Sequence, residues 1–233
     1  MTDLSGQWIL ITGASKGLGR EMAVAFAKAG GNLILSARSE ALLDEVKKAV
    51  EDAGSQCLTV TGDLTDDDVL RRLAELGIEK QIDILVNNAG IVSIDPLENV
   101  SHEHIAQLIN INLLAPIQLT RALLPMFKKR KSGTLLNVNS LGGRRPVPEH
   151  AIYCASKYGM TGFSESLKLE LKGQGIRVFN VSPGKMATEL FNSAGKDMDT
   201  SGFISPKGVA EATLYLLGLP SNCNPAELDI ERM

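Results

Sequence analysis

The sequence contains few cysteines and no long apolar run. Its three cysteines, Cys57, Cys154 and Cys223, are widely spaced and belong to no C-x-x-C pair or histidine cluster. This odd, scattered set argues against a disulfide framework and against a zinc site, so we expect no metal. The longest stretch without a charged residue, 104–120, is too short and too polar to cross a bilayer. We therefore predict free thiols, no membrane partner and, since the amino terminus lacks the pattern of a signal peptide, a cytoplasmic protein.

Basic charge is also in short supply. Lys and Arg total 24 against 27 for Asp and Glu, which gives a formal net charge of -3. A slightly negative net charge does not favour binding of a polyanion, so we do not expect nucleic acid as a partner. With 44% hydrophobic and 22% charged residues, the composition is that of a globular protein. The length suits one large domain covering 1–233.

Short apolar runs alternate with helical patterns along the chain. The runs lie at 8–12, 32–37, 56–61, 82–86, 134–139, 177–182 and, more weakly, 227–231; the helical patterns lie at 17–29, 40–53, 66–79, 102–130, 152–173 and 206–217. Strands covered on both faces by crossover helices have such continuous apolar runs. The order predicts an α/β fold of the Rossmann type, a doubly wound parallel sheet of about seven strands with helices on both faces. The polar, aperiodic segment 185–205 is predicted to be a substrate lid loop.

A glycine-rich turn follows the first predicted strand. It is the segment 12–19, with glycines at positions 13, 17 and 19, and a helix comes directly after it. Glycines let the backbone approach a pyrophosphate, which then meets the positive end of the helix. The spacing differs from the usual G-x-G-x-x-G, and glycines also close ordinary turns, but at this place in the fold nucleotide binding is the favoured interpretation.

The end of the second strand indicates which nucleotide is bound. An NAD site would have an acid here, whereas this chain has Ala37 followed by Arg38. Arg38 can form a charged fork to a 2′-phosphate, and Lys16 in the glycine turn adds a second cation. Either charge alone would be read as solvated surface. Together with the missing acid they predict NADP.

A second group of polar residues is placed for proton transfer. Tyr153 and Lys157 are four residues apart, so they share one face of a helix. A nearby ammonium favours phenolate and should lower the phenol pKa towards that of a working acid or base. Such a pair is often only an amphipathic surface pair. Ser140, at the carboxyl end of a neighbouring strand, favours a catalytic role instead.

Pro116 interrupts the predicted helix 102–130. In an α-helix the N–H of residue 116 would bond to the carbonyl of Asn112, and proline has no N–H. The freed carbonyl predicts either a bound water or simply a kink.

These motifs together resemble the classical short-chain dehydrogenase/reductase family along nearly the whole chain. The resemblance rests on the 12–19 turn, Asn87 to Gly90, Pro183-Gly184 followed by Thr188, and the catalytic set Asn112, Ser140, Tyr153 and Lys157. It implies that Tyr153 protonates the carbonyl oxygen. It also implies that Lys157 lowers the pKa of Tyr153 and holds the nicotinamide ribose, that Ser140 binds the substrate oxygen, and that Asn112 positions a water in a proton relay.

The same resemblance implies an NADP site. Asp63 would lie by the adenine, Asn87 and Gly90 by the adenosine ribose and the cofactor backbone, and Met186 and Thr188 by the carboxamide. The full predicted set of cofactor-binding residues is Gly13, Ser15, Lys16, Gly17, Leu18, Gly19, Arg38, Asp63, Leu64, Asn87, Ala89, Gly90, Tyr153, Lys157, Pro183, Gly184, Met186 and Thr188.

The carboxyl terminus departs from the family pattern. Many members have a glycine-rich segment after the last strand, while 224–233 here is Asn-Pro-Ala-Glu-Leu-Asp-Ile-Glu-Arg-Met. This departure weakens the expectation of a homotetramer and leaves a homodimer through the helices 102–130 and 152–173. Arg144 and Arg145 could attract an anionic substrate but are more simply solvated loop residues.

The sequence thus predicts an NADPH-dependent oxidoreductase that reduces a ketone or aldehyde. An NADP-dependent alcohol dehydrogenase working in the oxidative direction is the alternative within the same class. A non-catalytic nucleotide-sensing protein is the alternative outside it, and the intact Ser140, Tyr153 and Lys157 set argues against it.

Overall fold

The computed structural model describes residues 2–188, 199–200, 202–220 and 222–232. Seven strands form one parallel sheet in the order β3-β2-β1-β4-β5-β6-β7. The predicted doubly wound parallel sheet is therefore confirmed. Much of the predicted lid 185–205 lies outside the described residues.

The elements alternate along the chain as expected for crossover connections. The strands are β1 (Trp8–Thr12), β2 (Asn32–Ala37), β3 (Cys57–Thr61), β4 (Ile84–Asn87), β5 (Gly133–Val138), β6 (Ile176–Pro183) and β7 (Glu227–Ile230). The helices are α1 (Gly17–Lys28), α2 (Glu40–Asp52), α3 (Asp67–Glu79), α4 (His102–Ile109), α5 (Ala115–Arg130), α6 (Ala151–Glu170) and α7 (Pro206–Leu217).

The core consists of two apolar layers, one on each face of the sheet. Successive strand residues point to opposite faces, so Ile9 and Ile11 of β1 join one layer and Leu10 the other. The first layer packs against α1, α2 and α7, and the second against α3, α5 and α6. Covering both faces explains the continuous apolar runs of β1, β2 and β4.

The predicted helix 102–130 is divided in the structure. A π-helical turn, Asn110–Leu114, separates α4 from α5, and the N–H of Ala115 bonds to the carbonyl of Asn110. Pro116, which has no N–H, therefore follows closely after a segment whose hydrogen bonds are already π-helical and not α-helical. The structure shows a local widening of the helix at Asn112, where the sequence predicted a freed carbonyl or a kink.

Within the described residues, no helix is both long enough and apolar enough to span a membrane.

Candidate active site

A cavity of about 800 Å³ opens at the carboxyl end of the sheet. Its walls are made by the segments that follow β1 to β6. Strand order reverses at β1, with β2 and β3 on one side and β4 to β7 on the other. Ligands of open parallel sheets bind at this reversal because the loops on its two sides diverge.

The turn between β1 and α1 forms one wall of the cavity. Gly13 and Gly17 have φ values of +66° and +52°, which favour glycine. A Cβ on Gly19 would lie 2.3 Å from the Gly13 carbonyl oxygen and 2.5 Å from the Asn88 amide nitrogen. Only glycine therefore fits at position 19, and the backbone N–H groups at the start of α1 stay accessible to an anion.

Hydrogen bonds between the end of β1 and the residues that follow β4 hold this turn in place. The Thr12 hydroxyl accepts hydrogen bonds from the N–H groups of Asn88 (3.0 Å) and Ala89 (3.1 Å). The Asn88 amide donates to the carbonyls of Thr12 (2.8 Å) and Gly13 (3.0 Å). Asn88 also lines the cavity but was not among the predicted site residues. Its place in the Asn-Asn-Ala-Gly run was the signal available in the sequence.

Arg38 and Asp63 lie together at the end of the cavity formed by β2 and β3. The Arg38 guanidinium is 4.0 Å from the Asp63 carboxylate, and its side chain is 66% exposed. Asp63 also accepts hydrogen bonds from the N–H (2.9 Å) and hydroxyl (2.8 Å) of Thr65. Ser36, in the same wall, is fully buried, and its hydroxyl has no hydrogen-bond partner among the described residues. This end of the cavity therefore offers the exposed cation of Arg38, whereas the Ser36 hydroxyl has almost no accessible surface.

The segment after β6 forms the opposite wall. A Cβ on Gly17 would lie 3.2 Å from the Thr188 side chain, so the glycine turn and this segment are in contact. Met186 forms a parallel bridge with Ile204, which joins the two described ends of the predicted lid segment. The predicted residues Pro183, Gly184, Met186 and Thr188 all line the cavity.

Ser140, Tyr153 and Lys157 come together at the inner end of the cavity. The Ser140 hydroxyl accepts a hydrogen bond from the Gly142 N–H (3.0 Å) and is hydrogen-bonded to the Tyr153 phenol. The Lys157 ammonium donates to the Val138 carbonyl (3.0 Å) and lies 5.8 Å from the centre of the Tyr153 ring. Because α6 begins at Ala151, the four-residue spacing places both side chains on one helix face.

Burial governs the protonation of this cluster. It raises the pKa of the Tyr153 phenol, and the Ser140 hydrogen bond acts in the opposite direction. It also lowers the pKa of the Lys157 amine to about 8. Both shifts arise because a low-dielectric surrounding disfavours the charged form. The direction for Tyr153 is opposite to the lowering that the sequence predicted, so the phenol is held in its protonated, donor form.

Two of the predicted site residues do not line the cavity. Asn112 is 2% exposed; its oxygen accepts from the Ile91 N–H (2.8 Å) and its amide donates to the Ile91 carbonyl (2.9 Å). Asn87 is 4% exposed and donates to Asn137 (2.8 Å) and Thr120 (3.2 Å) beneath the sheet's end. Asn87 is the last residue of β4, and the strand's alternation points its side chain away from the cavity, in the direction of α5.

The other predicted residues all line the cavity. They are Gly13, Ser15, Lys16, Gly17, Leu18, Gly19, Arg38, Asp63, Leu64, Ala89, Gly90, Ser140, Tyr153, Lys157, Pro183, Gly184, Met186 and Thr188. The structure brings them together from six strand ends.

The region beside Tyr153 is mostly apolar and was not identified from the sequence. Val92 and Ile94 pack with Tyr153 and Phe203. His150 lines the cavity with its ring centre 6.3 Å from that of Tyr153, and its Nδ1 lies 2.7 Å from the Pro148 carbonyl oxygen. These residues lie in loops with no periodicity, so no sequence pattern singled them out.

The chain is similar to known proteins over most of its length. The family described as short chain dehydrogenase matches residues 7–199. A ketoacyl reductase from Nostoc sp. is 35% identical over 223 residues, covering 92% of this chain and 76% of that protein. An uncharacterized oxidoreductase from Staphylococcus saprophyticus is 32% identical over 234 residues, covering 99% of both chains.

A solved structure extends the similarity to the fold. A metagenomic short-chain oxidoreductase, crystallised in complex with NADP, has a TM-score of 0.86 and 30% sequence identity. The match covers 99% of this chain and 98% of that one. The two chains therefore share their fold over nearly their whole lengths.

Proposed function

The chain belongs to the short-chain dehydrogenase family, and from this premise we propose that it is an NADPH-dependent carbonyl reductase that acts on a ketone or aldehyde. The main observation that supports this proposal is a cavity shared by two groups of residues. Ser140, Tyr153 and Lys157 line the same cavity as the glycine turn and Arg38, so an acid and a nucleotide cradle share one space. A binding-only protein has no use for a proton donor there.

The cavity fits a dinucleotide with a 2′-phosphate. The β1–α1 turn lines the cavity and is closed so tightly that a Cβ on Gly19 would clash with the Gly13 carbonyl, and a pyrophosphate would bind there at the amino-terminal end of α1. Arg38 would hold the 2′-phosphate, and Asp63 would lie by the adenine. The related metagenomic oxidoreductase crystallised with NADP supports this choice. Lys157 and Tyr153 would face the nicotinamide end, with Met186 and Thr188 opposite.

NADPH, when bound, supplies the hydride that goes to the carbonyl carbon. Tyr153 donates its proton to the carbonyl oxygen, so the product is an alcohol. Ser140, bonded to the same phenol, holds that oxygen against Tyr153. A raised phenol pKa keeps the donor protonated at neutral pH, and the Ser140 hydrogen bond stabilises the phenolate left behind.

Asn112 would act from behind the cavity. Its side chain hydrogen-bonds both the N–H and the carbonyl of Ile91, and Ile91 lines the cavity next to Gly90. We assign Asn112 a positioning role for this wall, alongside the water relay that the family resemblance implies for it. Asn87, bonded beneath the sheet, would support the strand end and make no contact with the cofactor.

The proposal also includes a lid over the substrate, a homodimer and a cytoplasmic location. The segment 185–205 would close over the substrate, since Met186 and Thr188 at its start line the cavity. A homodimer would form through α5 and α6, since Leu114, which directly precedes α5, is 43% exposed, and Tyr158 and Leu169 of α6 are 44% and 74% exposed. Unpaired thiols at all three cysteines support a reducing, cytoplasmic location.

The test is to follow NADPH absorbance with a panel of neutral ketones and aldehydes, and the reverse reaction with alcohols and NADP⁺. Carbonyl-dependent NADPH oxidation supports the proposal. Activity with alcohols alone would favour the alcohol dehydrogenase alternative. Tight NADPH binding with no turnover on either panel would favour the nucleotide-sensing alternative.

A further inference from the structure

The last strand of the sheet carries a row of acids on one face. Glu227, Asp229 and Glu231 alternate with Leu228 and Ile230 along β7 and the residue after it. Alternation sends the two sets to opposite faces. Leu228 and Ile230 pack on the apolar layer, which leaves the acids on the other face.

This acidic face pairs with the two arginines that the sequence left as solvated loop residues. Arg144 pairs with Glu227 and with Asp229 (Nε to Oδ1, 3.6 Å), and Arg145 pairs with Glu231. The Glu227 side chain is only 7% exposed, and it also accepts a hydrogen bond from the Ser182 hydroxyl. A carboxylate so nearly buried needs both partners, because an unpaired buried charge is costly.

The arginines come at the end of the turn that carries Ser140. The N–H groups of Arg144 (3.0 Å) and Arg145 (2.9 Å) both bond to the Leu141 carbonyl, and the Gly143 N–H bonds to that of Ser140 (2.9 Å). A Cβ on Gly142 would lie 3.1 Å from the Tyr153 ring. The turn is therefore packed on Tyr153 at one side and fixed to β7 at the other.

We propose that the acidic face of β7, acting through Arg144 and Arg145, is a positioning device for the Ser140 turn, so that the carboxyl-terminal strand takes part in the reaction. This inference rests on the proposed function. The alternative hypothesis is that the ion pairs only stabilise the edge strand β7 and have no effect on the reaction. A displacement of about 1 Å in a catalytic group can cost on the order of a hundredfold in rate, so the two differ in what they predict for kcat.

The first measurement is steady-state kinetics of Arg144→Met, which keeps the apolar stem and removes the charge. We expect kcat for carbonyl reduction to fall by about tenfold or more, with the NADPH dissociation constant unchanged. Arg144→Lys, which keeps a cation but loses the planar fork, should recover part of the loss. The matched control is Lys207→Met, which breaks the exposed pair with Glu211 on α7 and should leave kcat unchanged.

The second measurement tests the position of the Ser140 turn by titrating the Tyr153 phenol, and it does not require enzymatic activity. The chain has three tyrosines, and Tyr158 and Tyr215 are 44% and 68% exposed, so replacing both with Phe leaves Tyr153 as the sole phenol to titrate by ultraviolet absorbance. In this background Arg144→Met should move the phenol midpoint upward, because a displaced Ser140 no longer stabilises phenolate. If Arg144→Met does not fold, Arg145→Met, at a more exposed pair, takes its place.

An unchanged kcat, or an unshifted phenol midpoint in a folded variant, would overturn the positioning role and leave the alternative hypothesis. If the parent protein turns over no carbonyl or alcohol, the proposed function fails. The phenol titration then still decides the positioning role by itself.

Discussion

Tyr153 is the residue on which the proposed chemistry depends. Tyr153→Phe keeps the ring and removes the hydroxyl, and general acid catalysis is worth on the order of a hundredfold to ten-thousandfold. We expect kcat to fall within that range while NADPH binding, followed by nicotinamide fluorescence, persists. Tyr158→Phe is the matched control, since that phenol is on the same helix and does not line the cavity. A Tyr153→Phe rate within about threefold of the parent would contradict the assignment.

Lys157 gives the protein a pH dependence whose sign follows from its burial. The folded pKa is about 8, below the ordinary 10.5, so the unfolded chain binds more protons between these values. Stability contributed by this group therefore rises with pH across that window. The free energy of unfolding of Lys157→Met should exceed that of the parent by the largest amount below pH 8, because methionine has no charge to bury. This difference should shrink by up to about 3 kcal/mol as pH approaches 10.5.

The measurement is urea unfolding of parent and variant from pH 6 to 10, with the exposed Lys172→Met as control. A difference between Lys157→Met and the parent that does not change with pH would show that the amine is not desolvated. Activity should follow the same group, with reduction slowing in the parent as pH rises through about 8 and the ammonium is lost.

Arg38 decides the coenzyme in this proposal. A hydrogen bond to a charged group is worth about 1.5–3 kcal/mol, or roughly one to two orders of magnitude in affinity. Ala37→Asp with Arg38→Leu should shift preference from NADPH towards NADH, because the new acid repels a 2′-phosphate and accepts from a ribose hydroxyl. Titration of both coenzymes tests this, with Arg71→Leu, a similarly exposed arginine on α3, as control. A parent that prefers NADH would exclude the assignment.

At the scale of elements, the β1–α1 turn is the most constrained segment of the site. A Cβ on Gly19 would meet backbone oxygen at 2.3 Å, so Gly19→Ala should displace the turn and weaken NADPH binding by at least about tenfold. Gly162→Ala is the control, since α6 has open space there and alanine should stabilise the helix by about 0.5–1 kcal/mol. Calorimetric NADPH titration of the two variants makes the comparison. Equal affinities would mean that the turn does not form the cradle.

At the scale of the whole molecule, the exposed apolar side chains on α6 bear on the proposed homodimer. Leu169 is 74% exposed, and an acid there would be solvated in a monomer but buried without a partner in the proposed dimer. We expect the parent to sediment near twice its 25.0 kDa chain mass and Leu169→Glu to sediment as a folded monomer. Ile78→Glu, on the exposed side of α3, should leave the mass unchanged. A monomeric parent would contradict the dimer.

Helix and strand positions could be predicted from the sequence because their signals are local. Apolar runs and helical spacing repeat within a few residues, so β2 and α7 match the predicted bounds 32–37 and 206–217. Ser140, Tyr153 and Lys157, the proposed catalytic residues, could be selected from the sequence because Ser140 follows a strand and the other two are four residues apart on a helix, and the structure places all three in one cavity. The π-helical turn at Asn110–Leu114 was not identified, because it depends on how α4 and α5 pack and has no periodic signature.

By itself, therefore, the sequence determined the order of elements, the parallel sheet and the family motifs at its carboxyl edge. Only the tertiary structure decided that Asn87 and Asn112 turn away from the cavity, that Asn88 secures the glycine turn, and that burial raises the pKa of Tyr153. It alone paired Arg144 with Glu227, 83 positions further along the chain. Such facts depend on strand register and on the exclusion of water between distant segments, and neither is contained in a local pattern of residues.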